Sequence, residues 1–159
     1  MVIVASNAAR TTEVSGVNPA TGLASDYLNH FYEPLLLLEH VGDDPDLLDD
    51  LAAWTPNSYI GHFGQSGRAD RNSELAVYLD AQPVVRRRLD NIATEAGEAT
   101  ATALQGLMHT ARDGGNISKV AQSLAQMLRR YIHMLDSIIH GRDQEHSPTT
   151  ATGAPLGNH

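Results

Sequence analysis

Pairs of histidine and carboxylate side chains spaced three residues apart recur along this sequence and are its first candidates for chemistry. The pairs are His30 with Glu33, Glu95 with Glu98, and His133 with Asp136. Residues three apart share one face of an α-helix, and facing helices of a bundle can direct such oxygen and nitrogen ligands toward two iron or manganese ions. The spacing supports the hypothesis of a metal-binding bundle, either an oxidase or an oxygen or iron sensor.

Two features weaken the metal hypothesis. In two of the three pairs the histidine precedes the acid, whereas bundle metal sites usually carry the acid first. The pairs on the last two helices also lie nearly opposite the apolar stripe of their own helices, so a solvated face is the simpler interpretation. We therefore predict no cofactor and keep iron or manganese as the alternative.

The stretch DYLNHFYEPLLLLEHV, residues 26–41, places Asp26, His30 and Glu33 on one line of a helix. The leucines at 35–38 surround the following turn, so this helix has no wide face for water. Buried imidazole and carboxylate groups must then satisfy each other. The favoured interpretation is a structural hydrogen-bond network, and the alternatives are a solvated edge and a functional ligand or general base.

Aromatic residues are concentrated between residues 27 and 63, which contain six of the eight in the chain. Aromatic and arginine side chains are typical of interface centres. Trp54, Tyr59 and Phe63 are therefore interface candidates, although we expect most of these aromatic side chains to lie in the core. The surrounding stretch, residues 54–71, reads as a mobile connection, since its three glycines lack the strand and the Lys-Ser/Thr of a phosphate loop.

Three consecutive arginines, Arg86, Arg87 and Arg88, follow the start of a predicted helix. Cations near the N-terminus of a helix interact unfavourably with the helix dipole, so we expect a nearby negative charge to compensate them. The favoured compensation is an ion pair from Arg86 to Asp90 within the helix. The alternative is an acidic partner or the chain's own aspartates at 43–50, which makes the arginines interface candidates.

The C-terminal half predicts two long amphipathic helices joined by the turn DGGN. Apolar or small residues step by threes and fours along both helices, at 85–110 and at 117–138. The turn offers glycine for tight geometry and Asn116 as a cap. Folding the stripes about this turn pairs small residues with large ones (Ile92 with Leu135, Ala96 with Tyr131, Ala99 with Leu128, Ala103 with Leu124). An antiparallel hairpin with a closely packed seam is predicted.

The first half predicts shorter helices. One begins at 19–21 and ends near Val41, with Gly42 as a left-handed cap. Because proline removes an amide donor, Pro34 should kink or break this helix. Asp44 has the position and chemistry to cap the next one.

Composition excludes several classes of function. The net charge is -8, with Lys119 as the single lysine beside ten arginines, so no broad basic face exists for nucleic acid. There are no cysteines for disulfides or thiolate metal sites. No apolar run is long enough for a membrane span and the N-terminus does not resemble a signal peptide. We predict a cytoplasmic protein.

Together these patterns predict an all-α fold. It is a four-helix-type bundle built on the C-terminal hairpin, with extra short helices, a single domain at 19–141, and disordered tails at 1–18 and 142–159. No catalytic motif is recognisable. We expect a non-catalytic interaction or regulatory protein with a protein partner, one that also forms a homo-oligomer through its alanine-rich seam.

Overall fold

The computed structural model describes residues 16–64 and 69–142, which form a small antiparallel hairpin followed by helices. The strands are β1 (Val17–Asn18) and β2 (Leu23–Ala24), and the α-helices are α1 (Asn29–His40), α2 (Leu48–Ala53), α3 (Tyr59–Gly64), α4 (Ala69–Asp80), α5 (Pro83–Arg112) and α6 (Ile117–Ile139). Short 3-10 turns at Ser25–Leu28 and Pro45–Leu47 lead into α1 and α2. The predicted all-α bundle on a C-terminal helical hairpin is confirmed. Most of both predicted tails lies outside the described residues.

The α5–α6 hairpin forms for the reasons given by its sequence. Pro83 occupies the first position of α5, where its missing N–H costs nothing. Gly114 adopts a φ of +75° in the connecting turn, a conformation that favours glycine. The Asn116 side chain accepts a hydrogen bond from the Lys119 N–H at 3.0 Å and so caps α6. The Tyr131 hydroxyl donates to Glu95 at 3.0 Å, in keeping with the predicted pairing of Ala96 with Tyr131.

The buried face of α5 agrees with the predicted stripe at four positions, namely Val85, Leu89, Ala96 and Leu107. Between them it passes through Ala93, Thr100 and Leu104, whereas the predicted Ile92, Ala99 and Ala103 are half-buried. The buried face is broader than one seam, because α5 packs against α2 as well as against α6. A Cβ at Gly97 would stand 2.8 Å from the Pro56 side chain, so the two backbones approach closely there.

The start of the chain departs from the predicted long first helix. Val17 and Asn18, predicted to belong to the tail, pair with Ala24 and Leu23 in the β-hairpin. The Thr21 hydroxyl in the hairpin turn donates to the Ile139 carbonyl at 2.6 Å. This bond satisfies one of the carbonyls that the last turn of a helix leaves unpaired. The hairpin therefore closes the C-terminal end of α6, and α1 begins later than predicted.

Pro34 lies inside α1 without breaking it into two helices, so that alternative is wrong, and the alternative of a kink stays a prediction. The prediction for Gly42 is also wrong. Gly42 does not adopt a left-handed conformation, because the chain leaves α1 through Val41 at a φ of -62°. A side chain at Gly42 would instead collide with Ser118 at the start of α6, so glycine permits a close approach at this position. The predicted cap at Asp44 is confirmed, since its side chain accepts from the Asp46 N–H at 3.2 Å.

The bundle closes within one chain. The small seam residues Ala93, Ala96, Ala121 and Ala125 are buried between α5, α6 and the helices that cover them. Ala99 and Ala103 of the predicted seam are half-buried, and the homo-oligomer predicted to form through this seam stays a prediction. No helix in the described part of the chain is long and apolar enough to cross a membrane.

Candidate functional site

His30 is held at the junction of α1 with the segment that follows α2. Its Nε2 accepts a hydrogen bond from the Asn57 N–H at 2.9 Å, and its ring stacks on Trp54 with centroids 4.9 Å apart and planes at 26°. An Nε2 that accepts carries no proton, so the imidazole is neutral and holds its proton on Nδ1. The ring is half-buried, as the position of His30 on α1 predicted, but its partners are a backbone amide and an indole.

Trp54 is fixed from the other side by the backbone of α1. Its Nε1 donates to the His30 carbonyl at 3.0 Å. That carbonyl would ordinarily accept from the N–H four residues later, but residue 34 is proline and has none. The indole therefore takes the place of the missing helical donor. This explains how α1 continues through Pro34 and why Trp54 docks at this height.

Burial determines the charge of His30. Removal from water, together with the neighbouring His62, lowers the pKa of His30 from 6.5 to about 4. The neutral form is the one that can accept from Asn57. At neutral pH the imidazole is therefore an uncharged, apolar-faced ring and contributes no positive charge to its surroundings.

The predicted network of Asp26, His30 and Glu33 does not form. Asp26 pairs with His62 Nε2 at 3.1 Å and accepts from Asn29 at 3.0 Å, whereas Glu33 is exposed. The reason is that α1 begins only after Leu28, so Asp26 belongs to the preceding 3-10 turn and faces α3. The imidazole that contacts Asp26 is that of His62, which the sequence patterns did not indicate.

A shallow groove with a volume of about 840 Å³ runs between α1 and α2 over the His30–Trp54 stack. We call it the α1–α2 groove, and its lining consists of Asn29, His30, Tyr32, Glu33, Leu36, Leu37, Asp50, Ala53, Trp54 and Thr55. Leu36 and Tyr32, one helical turn apart on α1, are 56% and 40% exposed and line this groove together. The groove thus offers an apolar strip above a rigid aromatic floor.

The charges that line this groove are all negative. Glu33 lies on the α1 side and Asp50 on the α2 side, both exposed. Within residues 16–64 and 69–142 neither carboxylate forms an ion pair. The lining contains no lysine or arginine, and the one titratable base, His30, is neutral.

The distribution of charged residues along the sequence indicates this acidic groove, although hydrophobic periodicity does not. Residues 11–67 contain no lysine and no arginine. The same stretch holds nine carboxylates, at Glu13, Asp26, Glu33, Glu39, Asp43, Asp44, Asp46, Asp49 and Asp50. Ten of the eleven cationic residues follow between 68 and 142. A division this sharp marks the α1–α2 region as an acidic surface.

The structure does not bring the metal candidates together. In the described part of the chain, no group of three or more His, Cys, Asp or Glu side chains is placed to hold an ion. The Nε2 of His30 is occupied by Asn57, and Glu95 accepts from Tyr131. Asp136 pairs with His140 at 3.0 Å and with Arg142. Glu33, Glu98 and His133 are exposed at separate places on the surface.

Only one of the aromatic interface candidates reaches the surface. Tyr59 and Phe63 are 1% and 0% exposed and belong to the core, because the predicted mobile connection contains the short helix α3. Tyr59 stacks on Tyr78 at 4.3 Å. Trp54 is half-buried and lines the α1–α2 groove. The last glycine of the connection, Gly67, lies outside the described residues.

The arginine run also differs from the prediction. Both oxygens of Asp90 accept from the Tyr78 hydroxyl at 3.1 Å, and Arg86 lies over the Tyr78 ring at 5.9 Å. The predicted Arg86–Asp90 pair is therefore absent from the described ion pairs. Burial and the Asp90 carboxylate raise the pKa of Tyr78 to about 12. Arg87 is exposed and Arg88 is half-buried.

Comparison with protein-family models, with curated proteins and with solved structures gave no match.

Proposed function

We propose that this chain is a helical interaction module whose α1–α2 groove binds a cationic, apolar segment of a protein partner. The observation that carries the proposal is the combination of exposed Leu36 and Tyr32 with carboxylates on both sides of the same groove. Exposed apolar patches bordered by polar groups are typical of protein interaction sites. A partner with leucine-like side chains flanked by lysine or arginine fits both features.

The side chains beneath the groove, His30 and Trp54, are already held in place, and this supports a role in binding. Trp54 is held by His30 through a stack and a hydrogen bond, and the segment after it is held by the Tyr27 hydroxyl, which donates to the Asn57 carbonyl at 2.7 Å. A partner that docks here does not have to order these side chains. Preorganisation of this kind lowers the entropic cost of association.

The sign of the partner's charge follows from the groove. Carboxylates at Glu33 and Asp50 attract lysine or arginine and repel acidic segments. Several more aspartates precede and begin α2, at 43–50, and extend the negative field beyond the groove. Binding should therefore weaken as the salt concentration rises, because exposed charges are screened within about 10 Å at 0.1 M salt.

Trp54 supplies the test, because it is the only tryptophan of the chain and lines the groove. The probe is a synthetic helical peptide without tryptophan, with leucines at helical spacing and lysines on both flanks. We expect its addition to shift the Trp54 fluorescence in a saturable way that salt weakens. A peptide with glutamate in place of every lysine should produce no saturable shift.

Two variants make the test specific to the groove. Leu36→Lys should lower the affinity for the cationic peptide by about tenfold or more, as expected for loss of a central apolar contact. Met134→Lys changes an equally apolar residue, 41% exposed on α6 and outside the groove, and should leave the affinity unchanged. Equal affinities for both peptides, or equal effects of both variants, would contradict the proposal.

A further inference from the structure

A second surface of the chain has the chemistry that the groove requires. At the corner where α4 ends and α5 begins, Leu79 and Val84 are 57% and 44% exposed. Arg87 follows one helical turn after Val84 and is also exposed. We call Leu79, Val84 and Arg87 the α4–α5 corner. Like the predicted partner of the groove, it combines apolar side chains with a cation.

Arg87 is an exposed cation of α5. Within the described residues it forms no ion pair, and the nearby carboxylate of Asp90 is occupied by the Tyr78 hydroxyl. Arg86 is drawn onto the Tyr78 ring. The first turn of α5 contains no acidic residue to balance the arginines that follow. An external carboxylate would supply that balance.

We propose that the α4–α5 corner of one molecule docks into the α1–α2 groove of a second copy of this chain. This inference rests on the proposed function and names one occupant of the groove. Leu79 and Val84 would cover Leu36 and Tyr32, and Arg87 would meet Glu33 or Asp50. The distribution of cations along the sequence supports the match, because the stretch that carries the groove has none and the stretch that carries the corner, residues 68–142, has ten beside eight carboxylates.

Such an interface has a definite geometry. It joins two different surfaces, so two copies either dock reciprocally about a two-fold axis or leave a free groove at one end and a free corner at the other. The product is a reciprocal dimer in the first case and an open chain or larger ring in the second. In both cases the average mass rises above that of one chain as the concentration rises.

Two double variants block the two surfaces separately. The corner variant, Val84→Glu with Arg87→Glu, should fold normally, because an acidic residue at the second position of α5 is favourable to the helix dipole. The groove variant, Glu33→Lys with Leu36→Lys, changes only exposed residues of α1. Circular dichroism verifies that both variants keep the helical content of the parent.

Sedimentation velocity over a range of micromolar concentrations gives the decisive result. The parent should show an average mass that rises with concentration above the 17.1 kDa of one chain, and each variant alone should remain at 17.1 kDa. Mixed together, the two variants should form a 1:1 dimer and nothing larger, because the intact groove of one meets the intact corner of the other.

Several outcomes would overturn the inference. They are a parent that stays monomeric, variants that associate as the parent does, and a mixture that stays monomeric. None of these outcomes contradicts the proposed function, because the peptide titration tests that proposal independently. The corner variant serves as the control for that distinction, because its groove is intact and it should still bind the cationic peptide.

Discussion

At the scale of single residues, His30 acts as a neutral acceptor that ties α1 to the segment after α2. Removing its side chain in His30→Ala leaves the Asn57 N–H without an acceptor and Trp54 without its stacked ring. We expect the variant to lose about 1 kcal/mol or more of unfolding free energy, from the hydrogen bond to a half-buried amide and the stacked ring. Urea unfolding measures the change.

His133→Ala is the matched control for this measurement. His133 lies exposed on α6, and surface substitutions of this kind usually change stability by less than about 0.5 kcal/mol. The two variants should therefore differ clearly. Equal effects would mean that the His30 hydrogen bond and stack contribute nothing to the stability of the folded chain.

The protonation of His30 predicts a dependence of stability on pH. Its pKa is about 4 in the folded chain, against 6.5 for an unperturbed histidine. Between these values the unfolded chain binds more protons than the folded one, so the contribution of His30 to stability is complete above about pH 6.5 and declines toward about pH 4. Urea unfolding across this range should show the decline.

His30→Gln isolates this contribution. A glutamine side chain can accept a hydrogen bond from the Asn57 N–H but does not titrate. The parent should lose more stability than His30→Gln between about pH 6.5 and pH 4, because both proteins share every other titrating group. Parallel pH profiles for the two proteins would show that His30 is not the group responsible.

At the scale of elements, the sequence predicted the hairpin well and the first helix poorly. The α5–α6 hairpin depends on local signals, namely a sustained apolar period, Pro83 and the DGGN turn, and these survive in the fold. The start of α1 depends on a distant contact, the bond from Thr21 to the last turn of α6. Periodicity cannot detect such a contact, because it compares only residues close in sequence.

Only the local part of the His30 site could be predicted, because its partners are distant in sequence. The position of His30 near Pro34, on a helix with little exposed surface, could be inferred from the leucines around it. Its actual partners, Trp54 and Asn57, lie 24 and 27 residues further along the chain. The missing donor of Pro34 was visible in the sequence, but the donor that replaces it was not.

The contact between α5 and Pro56 predicts opposite effects for two glycines of one helix. Gly97→Ala should be destabilising by about 1 to 3 kcal/mol, because the added methyl group would lie 2.8 Å from the Pro56 side chain. Gly106→Ala meets nothing within 4 Å and should stabilise by up to about 1 kcal/mol through helix propensity. Thermal unfolding of both variants compares them directly.

A stabilising Gly97→Ala would contradict the packing described here. It would mean that the segment around Pro56 can move away from α5 at no cost. That segment also carries Trp54 and Asn57, so the floor of the groove would then be less rigid than the proposed function requires.

At the scale of the whole molecule, the long apolar faces and the acidic surface belong to different parts of the chain. The long helices α5 and α6 contribute many of the buried apolar residues. The acidic N-terminal half supplies the groove, with an aromatic floor that packs against the buried cluster of Tyr27, Phe31 and Tyr59. The groove that we propose as a binding surface is therefore built on the same core as the hairpin.

The most direct test of the α1–α2 groove is residue-by-residue mapping of peptide binding. The ¹⁵N-labelled corner variant, which is expected to stay monomeric, is titrated with the lysine-flanked peptide while amide chemical shifts are followed. We expect the largest shifts within residues 29–37 and 50–55, which contain the groove lining. Shifts concentrated on α6, or none at saturating peptide, would contradict the assignment of this groove as the binding site.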